Sequence, residues 1–412
     1  MRVADLDIQA ISSSLQGYKL DFVVAGSIGA VEAVKSIRAL RRLGAVVYPW
    51  LTKGGAQFVT RTALEWASGG QTVQTTFDGK HSHVGVRDGL VIAPCSANFL
   101  SSVVAGQLLD PSLALTAAYL GAGKPVMALP CMHDSLFDSP FVSVVLARAQ
   151  QHISFLQSED EEGRKKYPSC AQTFADEISH RLRASCHSPH VLVTLGGTRS
   201  SIDPVRFVGN YSSGALGSLI TEELYRHGYG VHVVHGFAPR LPRCYTSKKM
   251  CSTNEAVLEE CRRVLSSHSD CGLVMAAALL DYGVDQRESE KLKTADRPHL
   301  VVELSRQVKV LHKLLELKST QAPWIACKLE TGVSEVQAAC LAQEYMDKYA
   351  LSHFVVNDFA KISATEHEAF LFQRSADVNT MDLVQGKQKL AQEVSARMMA
   401  WYKSEAGDGS IG

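Results

Sequence analysis

Val191-Leu-Val-Thr194, Gly196-Gly-Thr198 and Asp203-Pro-Val-Arg-Phe-Val-Gly-Asn-Tyr-Ser-Ser-Gly214, read in succession, decide the fold of this chain. The first piece is a short apolar run of buried-strand type. The second is a tight turn. The third is a long polar loop that leads into a helical pattern over 215–227. A strand, a polar loop of small residues and a helix make a nucleotide site, because a helix N-terminus offers free N–H groups and partial positive charge to phosphate. Ser212, Ser213 and Gly214 stand where those donors begin. Asp203, Arg206 and Asn210 exceed what a phosphate turn needs, which suggests chemistry as well as binding.

The pattern repeats on both sides of this stretch. Downstream, apolar runs at 230–236, 272–276, 324–331 and 353–358 each end in polar residues, and 387–402 reads as a last helix. Residues 404–412 are expected to be a disordered tail. Upstream, Phe22-Val-Val-Ala25 is a strand, Gly26-Ser27 opens a turn, and Val31, Val34, Ile37 and Leu40 carry a helical period. Gly44 then ends the helix, and a second strand at 46–51 runs into Thr52-Lys-Gly-Gly55. This β-α-β opening lacks G-x-G-x-x-G, so a dinucleotide is not favoured; one Gly-Ser turn suits a single phosphate, as in FMN. Polar groups recur after strands at 26–27, at 94–98 with Ser96 and Asn98, and at 131–134 with His133. In open α/β sheets such groups gather outside the carboxyl ends of the strands.

The whole is read as two tandem doubly wound, Rossmann-like α/β domains. The expected boundaries are 1–156, a flap and linker over 157–188, a second domain over 189–403, and the tail. A chain of 412 residues exceeds one ordinary core, which agrees with two domains. Lys+Arg and Asp+Glu are both 42, so no basic excess points to nucleic acid or an anionic membrane. The ten cysteines form no C-x-x-C pair, which fits a reduced, cytoplasmic protein. The first residues are not of signal-peptide type, and no apolar run reaches the roughly 20 residues of a membrane span.

Gly26-Ser-Ile, Ser82-His83-Val, Ala93-Pro-Cys-Ser-Ala-Asn98 and Leu129-Pro-Cys-Met-His133 resemble the motifs of the flavoprotein family that contains phosphopantothenoylcysteine decarboxylase. The resemblance implies a flavodoxin-like domain that binds FMN, with Gly26, Ser27, Thr52, Ser96 and Asn98 around the cofactor. It implies His83 as catalytic base, Asn98 at flavin and substrate, and His133 at the substrate carboxylate. The chemistry it implies is oxidation of a cysteine side chain to a thioaldehyde, loss of CO₂, and return of the hydride to the enethiol. The family has Asn where His133 stands. It often carries an Ala-Cys-Gly proton donor in the flap, where this chain has only Cys170 near a Glu-Glu-Gly-Arg segment.

Thr194-Leu-Gly-Gly-Thr-Arg199, Asp203 to Gly214, Ala276-Ala-Ala-Leu-Leu-Asp-Tyr282, Lys291-Leu-Lys293, Lys328-Leu-Glu-Thr331 and Val356-Asn-Asp358 resemble phosphopantothenate–cysteine ligase. Both families in this order make the architecture of the bifunctional coenzyme A biosynthesis proteins. The resemblance implies that CTP, or alternatively ATP, with Mg²⁺ activates the carboxylate of 4′-phosphopantothenate before cysteine attacks. Asn210 then holds the acyl intermediate, Lys291 offsets charge on phosphate, and Ser212, Ser213, Gly214, Asp281, Lys293 and Asn357 border the substrates. Ala215 stands where the family often has Lys or Arg, and Lys348 alone remains of its helix lysines. A homo-oligomer is implied, with trimer contacts in the first domain and dimer contacts in the second. Two other readings stay open: a ligase with a degenerate FMN domain, and a non-enzymatic flavoprotein that regulates a partner.

Overall fold

The computed structural model describes residues 6–75, 86–293, 299–319, 322–363, 366–374 and 380–408. The chain divides into two compact units, Met1–Arg183 and Ala184–Gly412. Among the described residues no helix is long and apolar enough to cross a membrane.

The first unit holds five parallel strands: β1 (Lys19–Val24), β2 (Val46–Leu51), β3 (Gly89–Cys95), β4 (Val126–Pro130) and β5 (Ser154–Phe155). Their spatial order is β2-β1-β3-β4-β5. This is the flavodoxin-like order, whose switch point lies between β1 and β3. Side chains alternate across the sheet. Phe22, Val24, Val91 and Ala93 enter one core, while Val23, Ala25, Leu90 and Ile92 enter the other. Both faces are covered, which is why these strands read as unbroken apolar runs.

Asp21 is the buried polar exception in β1. It is fully buried and accepts from Trp50 Nε1 at 2.8 Å, Arg87 at 2.7 Å and the Tyr119 hydroxyl at 2.6 Å. Three donors are what a buried carboxylate requires.

Two expectations about the linker change. Residues 159–161 and 164–166 form an antiparallel hairpin that pairs with Met132 and His133. Its turn places Glu162 at φ 52° and Gly163 at φ 71°, the two positive-φ positions that a two-residue hairpin turn demands. The helix Ala171–Arg183 then belongs to the first unit. Phe174, Ala175 and Ile178 are buried in its core, and the Phe174 ring meets Phe22 at 6.4 Å. Its apolar face decides this; the acidic run before it hid that face in the sequence.

The second unit holds β6 (His190–Leu195), β7 (Gly230–His235), β8 (Ser247–Met250), β9 (Gly272–Met275), β10 (Trp324–Glu330), β11 (His353–Ile362), β12 (His367–Gln373) and β13 (Thr380–Gln385). The order is β8-β7-β6-β9-β10-β11-β12-β13. The first six strands follow the Rossmann 3-2-1-4-5-6 pattern, so the switch point lies between β6 and β9. β12 and β13 add an antiparallel hairpin that the sequence reading did not separate. Helices Ala215–Arg226 and Lys387–Asp408 cover one face; Asn254–Ser267 and Glu335–Tyr349 cover the other. The last helix continues to Asp408, beyond the expected disorder at residue 404.

Candidate active sites

In the first unit the expected cofactor residues collect at the carboxyl ends of the strands. The turn after β1 touches the turn after β2 by backbone alone. A Cβ on Gly26 would lie 2.9 Å from Gly54 Cα, so neither turn tolerates a side chain there. Ser27 caps the short 3₁₀ helix Ile28–Glu32 by accepting from Gly29 N at 3.4 Å. Its O–H stays available as a donor. Ser96 does the same at the next turn, accepting from Phe99 N at 3.3 Å as N-cap of helix Ala97–Val104. Asn98 is exposed on the first turn of that helix. Around Gly29 the wall is closed: a Cβ there would meet Tyr167 at 3.3 Å, Pro94 at 3.4 Å and Cys131 Sγ at 3.6 Å. The hairpin segment therefore brings Tyr167 to this edge, a residue the sequence reading did not select.

Thr52 has a different task from the one expected. Its buried hydroxyl donates to Val24 O at 3.1 Å and accepts from Gly55 N at 3.0 Å, tying the second turn to β1. It shapes the floor and is not turned toward a ligand. His133 is exposed, and its Nδ1 accepts from Ser135 N at 3.3 Å. That contact leaves Nε2 as the free edge of the ring. Burial pushes the neighbouring Cys131 thiol up to about 12, so Cys131 is an inert hydrophobe at neutral pH. Cys170 is half-buried at the start of helix Ala171–Arg183, and its carbonyl accepts from Phe174 N at 3.4 Å. His83 lies outside the described residues.

In the second unit the glycine turn is a stack of backbones. A Cβ on Gly236 would sit 2.2 Å from Gly197 O, and one on Gly197 would sit 2.8 Å from Asn210 O. Only glycine at both positions lets the turns after β6 and β7 close on the Asn210 loop. Gly197 N donates to Phe237 O at 2.9 Å, and Ala278 N donates to Gly196 O at 2.8 Å, so the segment after β9 joins the same stack. Asn210 is exposed, and its amide donates to Leu279 O at 2.9 Å.

Gly214, at φ 70°, caps helix Ala215–Arg226 without a side-chain bond from itself. The serine hydroxyls supply that function. Ser212 accepts from Gly214 N at 3.4 Å and Ser213 from Ala215 N at 3.3 Å. A Cβ on Gly217 would lie 2.6 Å from Leu195 Cβ, so this glycine lets the helix press against β6. The helix N-terminus expected from the sequence is thus present, packed against Leu195 at the carboxyl end of β6.

Asp203 and Arg206 resolve the surplus in the loop. Asp203 is buried; its carboxylate accepts from Val205 N and Arg206 N, both at 2.7 Å, from Leu292 N at 3.2 Å, and pairs with the Arg206 guanidinium. Arg206 also donates to Leu292 O at 3.3 Å. Both backbone groups of Leu292 are therefore clamped, which presents Lys291 and Lys293, exposed on either side of it, at the loop. Burial works against charge on Asp203, but the three N–H donors and the guanidinium outweigh it and hold its pKa at about 2.

A carboxyl lowered in this way stabilises the fold fully above the ordinary value of about 3.9, and the contribution is lost as pH falls through about 2. Asp203→Asn is therefore expected to lower the urea midpoint at pH 7, with the difference from wild type vanishing between about pH 4 and pH 2. A midpoint difference that persists unchanged at pH 2 would remove the carboxylate from this role.

Asp281 is more than half exposed and pairs with Lys309, whose ammonium it raises above the ordinary value. Lys309 is a cation that the sequence reading missed; its only signal was its place just before helix Val310–Leu314. Asn357 differs from its expected place at the substrate. It is buried, donates to Lys328 O at 3.4 Å and contacts His367 Nε2 at 2.9 Å through its Oδ1. Its side chain joins β10, β11 and β12 rather than facing a ligand.

Two family models match this chain: flavoprotein over residues 8–176, and DNA/pantothenate metabolism flavoprotein C-terminal domain over residues 186–402. The chain is 29% identical over 371 residues to the coenzyme A biosynthesis bifunctional protein CoaBC of Thermococcus kodakarensis, covering 88% of this chain and 91% of the relative. It is 26% identical over 357 residues to the protein of the same name from Methanocaldococcus jannaschii, covering 85% and 86%. A solved DNA/pantothenate metabolism flavoprotein from Streptococcus pneumoniae matches with 24% identity and a TM-score of 0.47, covering 52% of this chain and 100% of that one.

Proposed function

The chain belongs to the DNA/pantothenate metabolism flavoprotein family, and from that membership we propose that it is a bifunctional enzyme of coenzyme A biosynthesis. The second unit joins 4′-phosphopantothenate to cysteine, and the first decarboxylates the product to 4′-phosphopantetheine. The observation that carries the reading is a strand-order switch point in each unit, in the order of the two family models.

In the ligase site the proposed roles follow from what each group has free. Asn210 is exposed beside the loop and can hold the acyl intermediate. Lys291 and Lys293, held by the Asp203–Arg206 clamp, offset negative charge that grows on phosphate. The Ser212-Ser213-Gly214 turn and the first N–H groups of its helix receive phosphate. Lys309 beside Asp281 adds a cation at the nucleotide end. Among the described residues no carboxylate cluster of metal-site type stands at this loop. Magnesium is proposed to accompany the triphosphate, as Mg·CTP.

The first unit fits FMN. The Gly26–Gly54 backbone contact sets the turns after β1 and β2 side by side, and Ser27 and Ser96 keep hydroxyl donors at the carboxyl ends of β1 and β3. Gly26, Ser27, Ser96 and Asn98 would hold the cofactor; Thr52 keeps the floor in shape. Bound FMN supplies a two-electron acceptor for the carbon that carries the cysteine thiol. His83 is the proposed base for the thiol proton, since an imidazole is matched to proton transfer near neutral pH. His133 offers Nε2 to the substrate carboxylate. Cys170 is the proposed proton donor. The trimer and dimer contacts expected of the two units are part of the same proposal.

The test uses the purified full chain with 4′-phosphopantothenate, cysteine, CTP or ATP, and Mg²⁺. Pyrophosphate and CO₂ are both expected, faster with CTP, from a protein with flavin absorbance. Pyrophosphate without CO₂ would leave a ligase with an idle flavin domain; neither product would leave a binding protein.

A further inference from the structure

The amino ends of β6 and β7 form the edge of the second sheet away from the ligase loop, and three histidines meet there. His190 is the first residue of β6, His232 the third of β7, and His268 ends helix Asn254–Ser267. One ring nitrogen of each lies within 4.8 Å of the others. His190 Nδ1 is 3.0 Å from His232 Nε2, and the His268 ring stacks on His190 with centroids 3.8 Å apart. Gly230 makes the room. It is paired with His190 across the strands, and a Cβ there would lie 2.5 Å from His190 Nδ1.

We propose that His190, His232 and His268 bind one divalent transition-metal ion of the imidazole-preferring class, represented by Zn²⁺, with water completing the shell. Imidazole suits this class of ion, and three protein ligands with one open position form a known zinc arrangement. The His232 ring is already oriented from outside the cluster. Ser247 Oγ lies 2.8 Å from its Nδ1; as acceptor of that N–H it leaves the Nε2 lone pair turned inward.

The charges around the cluster permit a cation. Arg263, which faces His232, is bound by Glu260 at 2.6 Å. The Tyr402 hydroxyl donates to His190 O at 3.2 Å and Asp270 O at 2.8 Å, so it contributes no anion. Tetrahedral zinc at about 2.0–2.1 Å from nitrogen sets its donors roughly 3.4 Å apart. The His190–His232 pair is near that spacing. The wider gap closes by rotation of His268, a half-buried side chain on extended backbone at the helix end. The ion would clamp the point where the chain enters the second unit to the helix that covers it.

The test is a titration of the tag-free, metal-stripped full chain with Co²⁺ and then Zn²⁺. Expected are one equivalent bound per chain, visible Co²⁺ bands without the near-ultraviolet charge transfer of thiolate ligands, displacement by Zn²⁺, and a higher unfolding temperature with Zn²⁺. His268→Ala and His190→Gln, each checked for a native circular dichroism spectrum, are expected to bind at least tenfold more weakly, since loss of even an outer partner costs that much. Thiolate bands, no stoichiometric binding, or unchanged affinity in His268→Ala would overturn the proposal and leave the three rings as a hydrogen-bonded stack.

Discussion

Asn210→Ala is expected to lower ligation by about 10²–10³-fold while the release of CO₂ from supplied 4′-phosphopantothenoylcysteine stays at the wild-type rate. The structure indicates that this loss falls on chemistry and not on folding. Asn210 is exposed, so its truncation opens no cavity. Its side chain makes one hydrogen bond to a carbonyl, Leu279 O, at 2.9 Å, a bond of about 0.5–1.5 kcal/mol. The loop backbone is held independently by antiparallel pairing of Phe207–Gly209 with Arg199–Ser201 and by the clamp on Leu292. What the substitution removes, on the proposed role, is a donor to the acyl intermediate. Saturating-substrate kinetics separates the possibilities. A fall in kcat fits a group used in the transition state, and an increase in KM alone would make Asn210 a binding residue only. Unchanged ligation would remove it from the site.

His83→Asn is expected to do the reverse. A positioned general base contributes roughly 10²–10⁴-fold, so CO₂ release should fall by that much, with ligation unchanged and the flavin absorbance retained. The independence rests on the architecture. Each unit has its own sheet and its own cores on both faces, and the chain divides at Arg183–Ala184. Simultaneous loss of both activities would contradict the division of labour. Loss of flavin absorbance together with CO₂ release would make His83 part of the cofactor seat and not the base.

The motif residues differ in how far their sequence reading carries. Ser212, Ser213 and Gly214 form the turn at a helix start that the pattern of strand, small residues and helix implied, because capping is a contact between residues two apart. Gly26, Ser27 and Ser96 likewise belong to turns whose geometry is local. Thr52, Asn357 and Asp203 were legible as polar residues in the right places, but their tasks were not. Thr52 bonds Val24, 28 residues away; Asn357 contacts His367 across a strand pair; Asp203 holds Leu292 from 89 residues away. Each is committed to a partner that no local period reveals. Lys309 went unnoticed for the same reason: it gains meaning only beside Asp281, 28 residues earlier.

By itself the sequence determined the alternation of strands and helices, the two-part organisation, and the turns at which polar residues would collect. These follow from hydrophobic period and backbone preference, which act over a few residues. Tertiary structure alone decided the strand orders β2-β1-β3-β4-β5 and β8-β7-β6-β9-β10-β11-β12-β13, and with them the two switch points. It also made Asp203 and Arg206 a clamp, put Ala171–Arg183 in the first core, and brought three histidines together behind the ligase sheet. The physical reason is that parallel strands pair across long crossovers, so their neighbours are chosen by packing of both sheet faces and not by anything encoded beside them in the chain.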